Sequence, residues 1–158
     1  MADFTLIPDQ DALVFDLAAG VSGAVLAEDA GLRTAVIASL FTWRRANADD
    51  VLPDPAGSDR KGYWGDSFAL VGGRQVGSRL WLLSRRILNA ATAEEARQMC
   101  VEALDWLIED EVAAAVEVIV TVVPPRRLNL GVRIRRHDGT VVDLDFGDVW
   151  QGIMETAA

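Results

Sequence analysis

Between Thr92 and Phe146 the apolar residues change their period, and that change limits the folds open to the chain. Before it, Ala96, Met99, Cys100, Ala103, Leu104, Leu107 and Ile108 recur at i, i+3, i+4 and i+7, which puts them on one face of a helix. After Glu111, Val116 to Val123 is β-branched almost throughout, and Leu128, Leu130, Val132 and Ile134 alternate with Asn129, Gly131, Arg133 and Arg135. Pro124-Pro125-Arg126-Arg127 forces a turn between these runs. His137-Asp138-Gly139 supplies a second turn, and Val142, Leu144 and Phe146 alternate with Asp143 and Asp145 in a third strand. Helices followed by a run of strands is the order of an α+β fold, here N-terminal helices packed on a C-terminal antiparallel β-meander.

The rest of the chain is placed around that core. Thr92 and Glu95 have the T-x-x-E spacing of a capping box, which predicts a helix starting at Ala93. Ser78 stands as the N-cap of a preceding helix to about Asn89, with Leu80, Leu83, Ile87 and Leu88 as its buried stripe. Leu32, Val36, Ile37, Leu40 and Phe41 predict a helix from Gly31 to near Ala46. Phe4 to Ile7 and Leu13 to Leu17 read as short strands separated by Pro8-Asp9-Gln10-Asp11. The expected organisation is one domain over 1–158: short strands or irregular chain in 1–30, a helical half in 31–111, and the meander in 112–150.

Charge and composition narrow the function. The chain is 51% hydrophobic with five tryptophans and a net charge of −9, a globular composition that repels phosphate backbones and excludes nucleic-acid binding as a main activity. The longest apolar run, Val112 to Val123, is interrupted by Glu117 and is too short to span a bilayer, so no membrane association is expected. The N-terminus has no basic stretch leading into an apolar one, which predicts residence in a cytoplasm. Cys100 is the only cysteine, which excludes an internal disulfide and a multi-cysteine metal site. The arginines come in local groups, Arg44-Arg45, Arg85-Arg86, Arg126-Arg127 and Arg133 to Arg136, that mark solvated faces or a surface for an acidic protein.

Within the helical half, the loop 59–77 sets Tyr63 and Trp64 between Gly62 and Gly65. Adjacent aromatic rings in a polar loop imply that it packs against something. Gly72-Gly73-Arg74-Gln75-Val76-Gly77 has neither of the glycine spacings that cradle a phosphate. The single histidine, His137, falls in a hairpin turn, and Asp143, Asp145 and Asp148 mark the wet face of a strand rather than a cation site. A glycosidase needs two carboxylates flanking a cleft, and nothing in the sequence brings Glu109 and Asp66 together. No catalytic, cofactor or metal site is expected. A meander also leaves an edge strand, here charged by alternating aspartates, on which another chain can add a strand.

Several short runs carry a family resemblance. Ser39-Leu40-Phe41-Thr42 with Arg44-Arg45, then Lys61-Gly62-Tyr63-Trp64-Gly65-Asp66, Gly77-Ser78-Arg79-Leu80-Trp81-Leu82-Leu83 and Ala103-Leu104-Asp105-Trp106-Leu107-Ile108 together resemble the small baseplate wedge protein of Mu-like contractile phage tails. The likeness covers roughly Leu13 to Trp150. Family members more often show R-G-W-W-G-D, where this chain has a lysine after Arg60 and Tyr63 in place of a tryptophan. The resemblance implies a non-enzymatic structural subunit, related to the wedge and sheath-initiator protein of T-even-type tails, that joins baseplate assembly to the start of the sheath. It implies other wedge proteins and the tail sheath as partners, no cofactor, and a location in the virion after synthesis in the host bacterial cytoplasm. Arg44, Arg45, Tyr63, Trp64, Arg79, Trp81 and Leu144 are the expected contact residues. The alternative is a small lysozyme-like hydrolase or a ligand-binding module using the glycine-rich loop.

Overall fold

The computed structural model describes residues 4–8, 15–19, 24–68 and 72–155, with side chains from residue 31 onward. Strands β1 (Phe4–Pro8) and β2 (Phe15–Ala19) pair antiparallel as a separate two-stranded sheet, with Leu6 opposite Leu17. The second expected strand thus lies two residues later at its end; of the turn expected between the two, Pro8 belongs to β1 and residues 9–11 fall outside the described residues.

Helix α1 runs from Ala24 to Phe41, so it starts seven residues before Gly31 and stops short of Ala46. Its first turns, Ala-Val-Leu-Ala-Glu, are mostly good helix formers, and a glycine inside a helix costs only about 1 kcal/mol. The end is set by a longer-range contact: beyond Phe41, Trp43 forms a parallel bridge with Ser78, which a continued helix would exclude. Leu32, Val36, Ile37 and Leu40 are buried, as their spacing predicts.

The expected helix from Ser78 to Asn89 is replaced by a single 3-10 turn, Leu80–Leu83. All four of its residues are buried, but Ile87 is 81% exposed, so the predicted stripe stops at Leu83 apart from a half-buried Leu88. Ser78 Oγ accepts from Leu80 N–H at 3.3 Å, so it does bond at the start of this segment, but it opens only the 3-10 turn and not the expected helix; its hydroxyl donates to the Leu40 carbonyl, back on α1. Helix α2 (Ala90–Leu104) begins three residues before Ala93, because Asn89 rather than Thr92 caps it: the Asn89 side chain accepts from Thr92 N–H at 2.9 Å. The Thr92 hydroxyl instead donates to the Ile87 carbonyl, and Glu95 pairs with Arg86, so the predicted capping box does not form. A one-turn helix α3 (Trp106–Glu109) follows after a break at Asp105. Ala96, Cys100, Ala103, Leu104 and Leu107 are buried as expected, while Ile108, past the break, is half exposed.

The meander forms as read. β3 (Ala115–Val123), β4 (Arg127–Arg135) and β5 (Val141–Asp148) pair antiparallel in that order, with Leu128, Leu130, Val132, Ile134, Leu144 and Phe146 turned into the core against the helices. The fold is therefore α+β, helices on one face of an antiparallel sheet. Arg136 N–H donates to the Thr140 carbonyl at 2.9 Å, and bonded pairs alternate from that point in an antiparallel ladder. Val142, Leu144 and Phe146 consequently bond to β4, while Val141, Asp143 and Asp145 turn their N–H and C=O outward along the edge. A final helix, α4 (Trp150–Glu155), has no counterpart in the sequence reading. Asp148 starts it by accepting from Trp150 N–H at 3.0 Å, and also accepts from Leu128 N–H, so this aspartate is a cap and not part of the wet face.

Cys100 sits on the buried face of α2, and burial pushes its thiol up to about 12. At pH 8 the native protein is expected to resist a thiol-specific disulfide reagent and to react fully once denatured. Rapid reaction of the native form would put Cys100 at the surface.

Candidate functional site

The loops that follow α1 and precede α2 are bound to each other backbone to backbone. Ser78 N–H donates to the Thr42 carbonyl at 2.9 Å, and Arg44 N–H donates to the Ser78 carbonyl at 3.0 Å. The strands can come this close only because residue 77 is glycine. Its φ is +103°, and a Cβ there would lie 2.3 Å from the Thr42 carbonyl oxygen. Trp81 closes the junction from inside, 5% exposed, its indole N–H donating to the Arg44 carbonyl at 2.8 Å.

Around this junction runs an ionic network. Arg79 Nη1 donates to both carboxylate oxygens of Asp50 at 2.8 Å, and its Nη2 and Nε donate to Glu102 Oε2 at 2.6 and 3.2 Å. Burial alone would lower the Arg79 pKa, but the hydrogen bonds to Asp50 and Glu102 outweigh it and hold the guanidinium above its usual value. Arg44 reaches Gln75 at 3.2 Å and Glu102 at 3.5 Å. Of the seven residues expected to contact partners, Arg44, Arg79 and Trp81 thus converge on one internal clamp. Leu144 lies apart, in the core of the sheet and only 5% exposed, so its side chain is not a contact surface; the edge of β5 presents backbone instead.

The remaining three lie on the surface. Arg45 is exposed and has no acidic partner among the described residues; it packs beside Gly62, whose Cβ position would be 3.4 Å from Arg45 Cβ. Tyr63 and Trp64 open a 3-10 turn, Trp64–Phe68, that has no buried residue. The rings form a row, Tyr63 to Trp64 at 5.4 Å and Trp64 to Phe68 at 6.4 Å between centroids, with Trp64 74% and Phe68 78% exposed. Rather than packing inward, the aromatic loop stands out as a ridge.

Three contacts tie the segment that carries the ridge to its surroundings. The Tyr63 ring lies over Gly65, where a Cβ would be 2.3 Å from it. Asp66 accepts from Val76 N–H at 2.9 Å, and Arg74 forks onto Asp110 at 2.7 and 2.9 Å and Glu109 at 3.2 Å. The Arg74 hydrogen bond holds the Asp110 carboxyl below its usual range. At the base of the ridge the Lys61 ammonium stands 3.6 Å over the Trp43 ring. Beyond Trp43 opens a cavity of about 290 Å³ lined by Leu40 to Trp43, Ser78, Leu80, Trp81 and, from the end of the chain, Val149, Gly152, Ile153 and Glu155. Asp66 and Glu109, the residues a hydrolase would need, hold the two ends of the 74–76 segment, and neither lines this cavity.

Sequence reasoning missed Phe68, Trp43, Lys61 and the acidic partners Asp50 and Glu102. Phe68 was findable, since it lies one 3-10 or helical turn beyond Trp64 in a segment already marked by aromatic residues. The carboxylates were not, because they come from 29 and 23 residues away along the chain.

What these features define is an α+β protein whose conspicuous surface is an exposed aromatic ridge beside an apolar cavity. Residues 32–141 match the model of the family described as Phage protein GP46. The chain is 40% identical over 125 residues to the baseplate protein gp46 of Escherichia phage Mu, covering 79% of this chain and 83% of that protein. It is 33% identical over 135 residues to the Mu-like prophage FluMu protein gp46 of Haemophilus influenzae, covering 85% and 89%. The chain belongs to the GP46 family of Mu-like phage baseplate proteins.

Proposed function

We propose that the protein is a wedge subunit of a contractile tail baseplate, that it acts as one domain, and that it links the baseplate to the first ring of sheath. Its partners in this reading are larger wedge proteins on the helical side, contacted through Arg45, Tyr63 and Trp64, and a sheath subunit at the sheet. Its site of action is the virion tail, and its role is structural, without a catalytic step. The observation that carries the reading is the edge of β5. Strand order β3-β4-β5 leaves β5 unpaired on one side among the described residues, with the N–H and C=O of Val141, Asp143 and Asp145 directed outward. Such an edge accepts an added strand, while the Asp143 and Asp145 side chains discourage pairing of two like edges.

Proline at Val142 or Leu144 is a poor probe, because it would remove a bond to β4 and weaken the sheet itself. Asp143→Pro removes an outward N–H instead, at the cost of an exposed ion pair with Arg133. Baseplates co-expressed with this variant are expected to assemble but to nucleate no sheath in electron micrographs, while circular dichroism of the isolated variant stays native. Normal sheath growth from such baseplates would refute strand addition at this edge.

A further inference from the structure

We propose that the aromatic ridge and the acidic segment at the end of α3 form one docking surface, which takes a basic amphipathic segment of another tail protein. Apolar side chains of that segment cover the Trp64 and Phe68 rings, and its Lys or Arg side chains meet the carboxylates of Asp66 and of Glu109 to Glu111. The inference rests on the assignment of the helical side to baseplate contacts, to which it adds the chemistry of the partner, and is independent of strand addition at β5.

The 74–76 segment joins the two halves. Asp66, inside the ridge turn, accepts from Val76 N–H at 2.9 Å, and Arg74, two residues before Val76, forks onto Asp110 and reaches Glu109. Trp64, Phe68 and Val76 are exposed at one end of this connection, and the exposed Ile108 and Val112 bracket the carboxylates in sequence at the other. Large apolar side chains left in water and interspersed with charges of one sign make a surface suited to a partner of the opposite sign. Covering the aromatic rings supplies most of the binding energy, and the charges decide which partner is admitted.

Charge selects the occupant. Asp66, Glu109, Asp110 and Glu111 lie along this surface, and Arg74 is the cation bonded to them. Its single guanidinium is shared between Asp110 and Glu109, so it offsets one of their two charges. The bond to Asp66 comes from a neutral amide, and Glu111 has no ion pair among the described residues, which leaves most of the carboxylate charge uncompensated. The basic residues Arg45, Arg60 and Lys61 gather around the 43–48 loop rather than on the 109–111 segment: Arg60 donates to the Asn47 and Ala48 carbonyls, and the Lys61 ammonium stands over Trp43. A segment with Lys or Arg beside its apolar residues complements the acidic side of the ridge. A second copy of the chain brings the same carboxylates and a further net charge of −9, and it is repelled, as is a phosphate-rich surface.

The test uses tail particles assembled with a photo-crosslinking phenylalanine analogue at Phe68 or at Val112, followed by mass spectrometry of the linked peptides. Both positions are expected to capture one segment of one other tail protein, with a large apolar residue within a helical turn of Lys or Arg. Capture of an acidic or uncharged segment, or of different proteins at the two positions, overturns this inference alone. Capture of a second copy or of nothing overturns the assignment of the helical side with it. Glu111→Lys is expected to cut incorporation of the subunit into baseplates about tenfold while the isolated variant melts like the native protein. Glu117→Lys makes the same change of net charge on the outer face of the sheet, at the cost of an exposed contact with Arg133, and is expected to incorporate at the native level. Equal incorporation of the two variants refutes the role of the acidic segment. Loss of the subunit from the baseplate also separates this surface from the β5 edge, where Asp143→Pro removes only the sheath.

Discussion

Gly77→Ala is expected to destabilise the protein by about 3 kcal/mol or more, although it adds one methyl group. Two costs combine at this position. With φ at +103° an L-residue is held in a region it rarely adopts, at roughly 1–3 kcal/mol. The new Cβ would also stand 2.3 Å from the Thr42 carbonyl oxygen and 3.0 Å from Arg44 N, both of them backbone atoms of the bridge to Ser78. Backbone cannot rotate out of the way like the end of a flexible side chain, so relief requires opening the two bonds of the bridge. Gly73→Ala is the control. Its φ is +82°, but among the described residues no atom other than those of its chain neighbours lies within 4 Å of the Cβ position, so only the conformational cost of about 1 kcal/mol applies. Denaturant unfolding of both variants measures the difference directly. Equal losses would mean that the clash is relieved at no cost, and that the bridge does not hold the two loops together.

The same junction explains which parts of the fold were legible in the sequence. β4 was readable because each residue's side of the sheet follows from strict alternation, and Leu128 to Ile134 needed no distant information. The long stripe of α2 was readable for the corresponding reason at helical spacing. Its cap was not, because Asn89 and Thr92 both suit the role locally, and the choice fell to Asn89 once the Thr92 hydroxyl bonded to Ile87. Ser78 as a cap and the spacing of Leu80, Leu83, Ile87 and Leu88 suggested a helix, yet the chain there is pinned by the bridge from Ser78 to Trp43, far earlier in sequence. Local propensity is worth tenths of a kcal/mol per residue and yields to such contacts. At the site, Trp64 and Trp81 were indistinguishable as tryptophans beside glycine-rich chain. Their fates diverged through partners no local pattern encodes, the Arg44 carbonyl for one and water for the other.

That divergence gives the second large effect. Trp81→Ala is expected to cost about 4 kcal/mol, because the ring is 5% exposed and removing a buried Trp leaves a cavity worth roughly 3–5 kcal/mol. Loss of its indole N–H also strands the Arg44 carbonyl at the junction and removes one of the two rings beneath Lys61. Trp64→Ala, by contrast, takes away a ring that is 74% exposed and touches Tyr63 and Phe68, for an expected change of about 0.5 kcal/mol or less. Thermal melting of the two isolated variants reads out the stability difference, and incorporation into co-expressed baseplates reads out function. Trp64→Ala is expected to melt like the native protein and, under the proposed baseplate contact, to incorporate poorly, since an exposed ring contributes little to the isolated fold and the proposal buries its area only on assembly. A large drop in melting for Trp64→Ala would place the ring in the domain's own core. Native melting together with native incorporation would remove the ridge from the interface.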